Sequence, residues 1–369
     1  MPIKQPINSL TGLRFVAAFM VVIVHFGDPK SPQLLHNIIS HGFVAVSLFF
    51  ILSGFILTYS YCDNDGSLNT GNWNFWVSRF ARIYPVYLLG FLIYAPMAIH
   101  GIAAIDPHSP WASTGLFAAA ALTLMQSWSK TSALVWNSPA WSLSAEAFFY
   151  LLFPFVAPLV LKLKLRGLVV AAIILWVASL GASIAHLEVA DFDRNFWMFN
   201  PLMRLPEFLL GIVLGKCWKI RKPGSFEKYS AYISVASAFI IVAIFSINDK
   251  EGFFYNGTLA PLIMLLIFSL ACNQGMLARI LATRPMVLLG EASYSLYILH
   301  WPLWFAITDF LVNDLHRFQK GPSHFLACEA ITIAASLLAF KFLEQPANRY
   351  LKNALRSWKN PQPISPSFL

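Results

Sequence analysis

The 369-residue sequence predicts an all-α polytopic membrane protein, with about ten transmembrane helices and one short re-entrant or interfacial helix. Three observations predict it. Hydrophobic residues make up 57% of the chain. Charged residues make up 12%, where a soluble domain carries about 25%. Mean hydropathy is +0.62, and apolar runs follow one another from end to end, leaving no room for a soluble domain.

The spans follow those runs. They fall near 10–26, 41–60, 81–99, 141–161, 168–187, 200–215, 230–247, 258–272, 292–311 and 325–344. A further run, 111–126, is shorter and rich in Ala and Thr. As a helix it reaches about 24 Å, short of a hydrocarbon core of about 30 Å. Positive charge arbitrates. With a cytoplasmic N-terminus and 111–126 not crossing, the inner segments hold 17 Lys and Arg and the outer ones 6. If 111–126 crosses, everything after it flips and the count becomes 8 inside against 15 outside. Cytoplasmic loops carry the excess of Lys and Arg. The sequence therefore predicts ten spans, both termini in the cytoplasm, and 111–126 turned back. The stretch 100–140 carries Trp111, Trp128 and Trp136, and tryptophan favours the interface, so it is expected to lie on the bilayer as a lid.

Residues 1–346 read as one membrane domain and 347–369 as a cytoplasmic tail, partly disordered where Pro and Ser accumulate. The net charge of +9 reads as cytoplasmic loop charge, with no nucleic-acid partner. Cys62, Cys217, Cys272 and Cys328 are scattered without CxxC spacing, so neither a disulfide framework nor a metal site is expected. No small-residue cleavage site follows Phe26, so the first helix reads as retained.

That helix holds two ionisable side chains, Arg14 and His25. Eleven residues apart, they share one face about 16 Å apart along the axis. A cation in hydrocarbon costs on the order of 3 kcal/mol, so such residues usually face a cavity or a partner. The plainer reading has Arg14 snorkelling and His25 capping the far end. In the second span, Ser53-Gly54 permits close helix approach, and packing is favoured over chemistry. Arg79 and Arg82 share a face at the start of the third span. They read equally as topology charge or as a clamp for an anion, since guanidinium groups hold phosphate bidentately. Glu146 sits in the apolar fourth span with Ser142 and Tyr150 one turn away on either side. It is expected near the outer end, at the depth of His25, where a carboxylate would orient the ring; a structural ion pair is the alternative. Arg204 and Glu207, three apart, are expected to satisfy each other, with Gly211 and Gly215 packing against another helix. Ser293, Tyr297 and His300 form a polar stripe on the ninth span, with His300 either a core histidine or a functional one. Glu344 closes the tenth span at the depth of Arg14, where the two could pair.

Taken together, these motifs resemble the acyltransferase-3 family of membrane acyltransferases. The resemblance rests on Arg14-x10-His25, the Phe-Phe-x-Leu-Ser-Gly-Phe run at 49–55, the Arg-x-x-Arg-Ile-x-Pro run at 79–85 and the Trp-Ser-Leu-x-x-Glu run at 141–146. Ser-Tyr-x-x-Tyr…His at 293–300 and Glu-x-Pro at 344–346 complete it, so it covers about Leu10 to Pro346. It implies an integral O-acyltransferase of the bacterial inner membrane. Such an enzyme moves an acetyl or other short acyl group from cytoplasmic acyl-CoA to a hydroxyl of a surface or exported glycan, such as lipopolysaccharide, exopolysaccharide or a glycolipid. The family's essential pair carries over to Arg14 and His25. Two departures stand out: Ser78-Arg79 where the family often has two arginines, and no soluble hydrolase-like domain.

On this reading His25 is the general base and Glu146 its orienter, with Arg14 beside them in the catalytic set. Arg14, Arg79 and Arg82 hold the phosphates of coenzyme A, and Trp141, Ser142, Tyr297 and His300 are candidates for contacting the acceptor. Direct transfer and a covalent acyl-enzyme are both open. The rival is a secondary transporter using Arg, His and Glu as a proton relay. No two-fold internal symmetry in hydropathy or motif placement supports that class.

Overall fold

The computed structural model describes residues 5–27, 32–63, 66–189, 191–221, 224, 226–247, 251–314 and 322–359. In chain order the helices are α1 (Asn8–Phe26), α2 (Gln33–Ser40), α3 (Val44–Tyr61), α4 (Asn72–Ile105), α5 (Pro110–Leu122), α6 (Trp141–Leu161), α7 (Leu165–Glu188) and α8 (Asp191–Phe199). They continue as α9 (Pro201–Ile220), α10 (Glu227–Ile247), α11 (Ala260–Ala271), α12 (Gly275–Leu281), α13 (Arg284–Glu291), α14 (Ser293–Thr308), α15 (Pro322–Ala339) and α16 (Gln345–Lys359). No β-strand occurs among the described residues.

Eight of the described helices are long and apolar enough to cross a membrane. The other two expected spans are irregular. The run at 258–272 is only the 12-residue α11, which meets α12 at an 80° bend. Asn273 and Gly275 at the bend have φ of +57° and +84°, left-handed values that stop a helix. At about 18 Å, α11 does not reach across a bilayer by itself. The run at 292–311 is α14, 16 residues long, prolonged by a six-residue π-helical turn at Asp309–Asp314. Of the charges used to orient the chain, Lys4, Lys30, Lys222, Lys250, Arg317 and Lys320 lie outside the described residues.

The 111–126 run does turn back. It forms α5, 13 residues long, which packs along α4. The hydroxyls of Tyr84 and Tyr87, near the middle of α4, donate to the carbonyls of Leu122 and Ala121 at 3.0 and 2.7 Å. Leu124, with φ of +57°, reverses the chain there. The return segment is not a lid lying on the bilayer: Gln126, Ser127, Trp136 and Asn137 are buried. Several of its donors find partners inside the bundle, as a non-helical backbone at membrane depth requires. Gln126 donates to the Ala140 carbonyl at 2.9 Å, Trp136 to Phe91 at 3.0 Å and Asn137 to Ile298 at 3.0 Å. Consequently α6 starts inside the bundle rather than at its edge.

The centre is the crossing of α3 and α9. Gly54 and Gly211 face each other there, and a Cβ on either would collide with backbone of the opposite helix. The helix axes approach as closely as glycine permits, the packing that the sequence spacing predicts. The C-terminal stretch from 345 to 359 is helical, and α16 packs along α4. Residues 360–369 lie outside the described residues.

Candidate active site

Among the described residues α1 borders two cavities inside the bundle. The larger, about 910 Å³, lies among α1, α3, α4, α6 and α14. Arg14, Arg79 and Arg82 line it, with Glu146, Tyr150 and Tyr294. The second, about 510 Å³, is lined by His25 and His36, with Trp141, Phe199, Arg204 and Tyr255 among its walls. Arg14 and His25 thus do share a face, and that face looks into one chamber at each end.

In the arginine chamber, Arg79 donates to the Tyr61 hydroxyl at 2.7 Å. Among the described residues Arg14 and Arg82 have no hydrogen-bonding or ion-pairing partner. Three guanidinium groups in one cavity repel one another, and an anion with several oxygens relieves that repulsion. Glu146 supplies the compensating charge. It accepts from Ser53 at 3.0 Å and from Tyr150 at 2.5 Å.

Glu146 therefore does not meet His25. It was expected at the outer end of its helix, at His25's depth. Because the chain before Trp141 is folded into the bundle, α6 starts deeper, and Glu146 is carried to the Arg14 end. Ser53 is also reassigned: Gly54 supplies the packing, while the serine next to it faces the chamber and holds Glu146. The Arg14–Glu344 pair does not form. Glu344 accepts from Ser295 at 2.7 Å, and the charges acting on it are Arg82 and Glu291.

His25 has a different partner. Its Nδ1 lies 3.1 Å from Nε2 of His300, with ring centroids 5.2 Å apart. His300 Nδ1 lies 2.7 Å from the Tyr297 carbonyl. A carbonyl only accepts, so His300 Nδ1 carries the hydrogen, and neutral His300 accepts at Nε2. The hydrogen between the rings then belongs to His25 Nδ1, which leaves His25 Nε2 with a free lone pair. Phe26 stacks on Trp304 at 4.0 Å and His25 meets Trp301 edge-on at 5.2 Å, fixing the end of α1 against α14.

The remaining candidates cluster between the chambers. Ser142 and Tyr297 join through their hydroxyls at 2.7 Å, and both line the arginine chamber. Trp141 lines the histidine chamber, where the buried Arg204 was not anticipated. Arg204 does pair with Glu207, at 2.9 Å, and also donates to Asn256 at 2.8 Å, to Ser47 at 3.2 Å and to the Tyr255 carbonyl. Its position inside an apolar helix was a signal that it borders a polar space. No cluster of His, Cys, Asp and Glu suited to a metal ion occurs among the described residues.

Comparison with known proteins gives a consistent picture. A family described as acyltransferase domain matches residues 7–341. The acyltransferase MdmB of Streptomyces mycarofaciens is 32% identical over 381 aligned positions, covering 93% of this chain and 92% of that protein. The O-acetyltransferase OatA of Staphylococcus aureus is 27% identical over 369 positions and covers 92% of this chain. Of OatA itself only 57% is spanned. No solved structure matches.

Proposed function

We propose, because the chain belongs to the acyltransferase-3 family of membrane O-acyltransferases, that it moves an acetyl or other short acyl group from acyl-CoA to a hydroxyl of a surface or exported glycan. Lipopolysaccharide, exopolysaccharide and glycolipid are acceptors of that kind. The observation that carries the reading is the placement of Arg14 and His25. One helix presents a cation to a chamber ringed by guanidinium groups and an imidazole to a second chamber. The first suits a polyphosphate donor, the second a hydroxyl that must lose a proton.

The arginine chamber opens to the cytoplasm in this reading, with both termini on that side of a bacterial inner membrane. Arg14, Arg79 and Arg82 hold the phosphates, and the long, thin pantetheine arm carries the thioester inward. The acceptor hydroxyl enters beside His25. As the oxygen–carbon bond forms and the carbon–sulfur bond breaks, His25 Nε2 takes the hydroxyl proton, which ends on the sulfur of coenzyme A. Positioned acid–base catalysis supplies roughly 10²–10⁴-fold, and the juxtaposition of two substrates supplies the larger share. Direct transfer needs no side-chain nucleophile.

The test is turnover. Protein purified in detergent should bind acyl-CoA, and membranes holding it should pass a labelled acetyl group to glycan. Mass spectrometry of surface glycans from wild-type and deletion strains identifies the acceptor. If labelled acetyl is transferred equally by membranes of the deletion strain, the reading is wrong.

A further inference from the structure

The arginine chamber and the histidine chamber are separated by a wall one side chain thick. Only Val46 and Tyr297 line both. The Tyr297 ring is pinned in place. Its hydroxyl lies 2.7 Å from Ser142 Oγ and donates to the Pro139 carbonyl at 3.1 Å. Phe49 packs edge-on to it at 5.7 Å, and His300 does so at 6.1 Å. The surroundings do not yield readily either. Phe50 and Trp141 pack edge-to-face at 6.1 Å, and the Arg204 guanidinium lies over both rings, at 5.3 and 5.6 Å. Arg204 is in turn paired with Glu207 at 2.9 Å, so this backing is buried and held by an ion pair.

The wall lies across the line of the reaction. Arg14 and His25 are about 16 Å apart along α1, one on each side of it. A donor held by its phosphates brings its thioester to the wall from one side, and the hydroxyl reaches it from the other. Only the acyl group has to cross this wall, and Val46 and Tyr297 are the residues it must pass. Moving Tyr297 aside means breaking its buried hydroxyl contacts to Pro139 and Ser142, so the passage does not widen at low cost to admit a longer chain.

We propose, resting on the donor and base assignment above, that Val46 and Tyr297 form the aperture that sets which acyl group is transferred. They pass an acetyl-sized group and reject longer ones. In a packed apolar site one methylene discriminates by about 10- to 200-fold. Tyr297 is accordingly a specificity-determining residue, and the proton is handled elsewhere.

The experiment uses membrane vesicles from cells carrying the full chain, with their native acceptor. They are given radiolabelled acetyl-, butyryl- or hexanoyl-CoA, and incorporation into membrane glycan is compared with vesicles from the deletion strain. Wild type should strongly prefer acetyl. Val46→Ala removes bulk from the passage and touches no hydrogen bond; it should raise the butyryl-to-acetyl ratio by about tenfold. Tyr297→Leu should raise it as much or more and extend it to hexanoyl. If Tyr297→Leu does not accumulate in the membrane, Val46→Ala decides alone. A ratio within about twofold of wild type in Val46→Ala, with the protein present at normal level, overturns the aperture while leaving the acyltransferase reading intact. Absence of gene-dependent incorporation from any thioester overturns both.

Discussion

His300 Nε2 lies 3.1 Å from His25 Nδ1, at the point where the end of α1 is clamped to the middle of α14. This contact orients the His25 ring as a carboxylate orients the ring in a catalytic triad: it fixes which nitrogen carries the hydrogen and which keeps a free lone pair. It differs in charge. A neutral acceptor orients the ring and contributes less to stabilising an imidazolium than a carboxylate does. The hydrogen-bond order ends on the Tyr297 carbonyl, so α14 supplies both the acceptor and the anchor.

His300→Leu should therefore lower kcat by roughly 10-fold or more with the KM for acyl-CoA unchanged, because it removes the acceptor and leaves His25 in place. His300→Gln keeps an acceptor oxygen within reach and should recover most of that loss. Steady-state kinetics of the two variants checks this. Equal loss in both would mean that the ring's packing, and not its accepting nitrogen, matters.

His25→Ala should abolish transfer, a loss of about 10²–10⁴-fold or greater. His25→Gln should not restore it, since an amide hydrogen-bonds but takes no proton at working pH. Both variants should still bind acyl-CoA, whose phosphates are proposed to lie in the other chamber. Isothermal titration with acyl-CoA and an acylation assay on the same sample separate the two effects. Near-normal turnover by His25→Gln would move the base to another group, with His300 the nearest.

Arg79→Ala or Arg82→Ala should weaken donor binding and leave the bound complex reacting at its normal rate. A hydrogen bond to a charged group contributes about 1.5–3 kcal/mol, which is on the order of 10- to 100-fold in affinity. The expected pattern is a raised KM for acyl-CoA at unchanged kcat. A lowered kcat at saturating donor with unchanged affinity contradicts the clamp.

The fold class and the reading of α1 were legible because both rest on local patterns. Apolar runs mark helices whatever they pack against, and an eleven-residue spacing fixes a face without tertiary knowledge. Glu146 was misplaced because depth in a membrane is a tertiary property. Counting from the apparent start of the fourth span presumes that the span starts at the surface, and the buried return segment before Trp141 breaks that presumption. His300 was visible as a polar residue in a span, but nothing in the sequence says which of two histidines 275 positions apart will touch. The α11–α12 bend was hidden in an unbroken apolar run, marked only by Asn273 and Gly275. Arg204 was read correctly as paired with Glu207, and its place on a chamber wall follows only from the helices around it.

Topology is open to a direct check. With α5 turned back inside the bundle, the Lys162–Lys164 turn between α6 and α7 belongs on the side of the N-terminus. A single cysteine introduced at Lys164 should react with a permeant maleimide in intact cells and resist an impermeant one. Labelling by the impermeant reagent would place that turn outside and make 111–126 a crossing segment.

The glycines offer the sharpest test of the packing itself, because their environments differ within one protein. Gly211 of α9 has the backbone of Ile51 and Gly54 against it, and Gly54 of α3 has the backbone of Phe208 and Ile212 against it. Backbone cannot rotate out of the way as a side chain can, so any Cβ there forces the two helices apart. That separation would also pull Ser53 away from Glu146 and open the wall of the arginine chamber. Gly181 of α7 has nothing within 4 Å of the position its Cβ would take. Gly211→Leu should therefore destabilise the protein by about 1–3 kcal/mol or more through overpacking, and lose donor binding with it. Gly181→Leu adds the same side chain to a helix and should be close to neutral, or slightly stabilising through helix propensity. Thermal unfolding in detergent, monitored alongside acyl-CoA binding, compares them. Similar melting temperatures for the two variants would show that α3 and α9 are not packed backbone to backbone, and the position of Ser53 and Glu146 in the chamber would have to be drawn again.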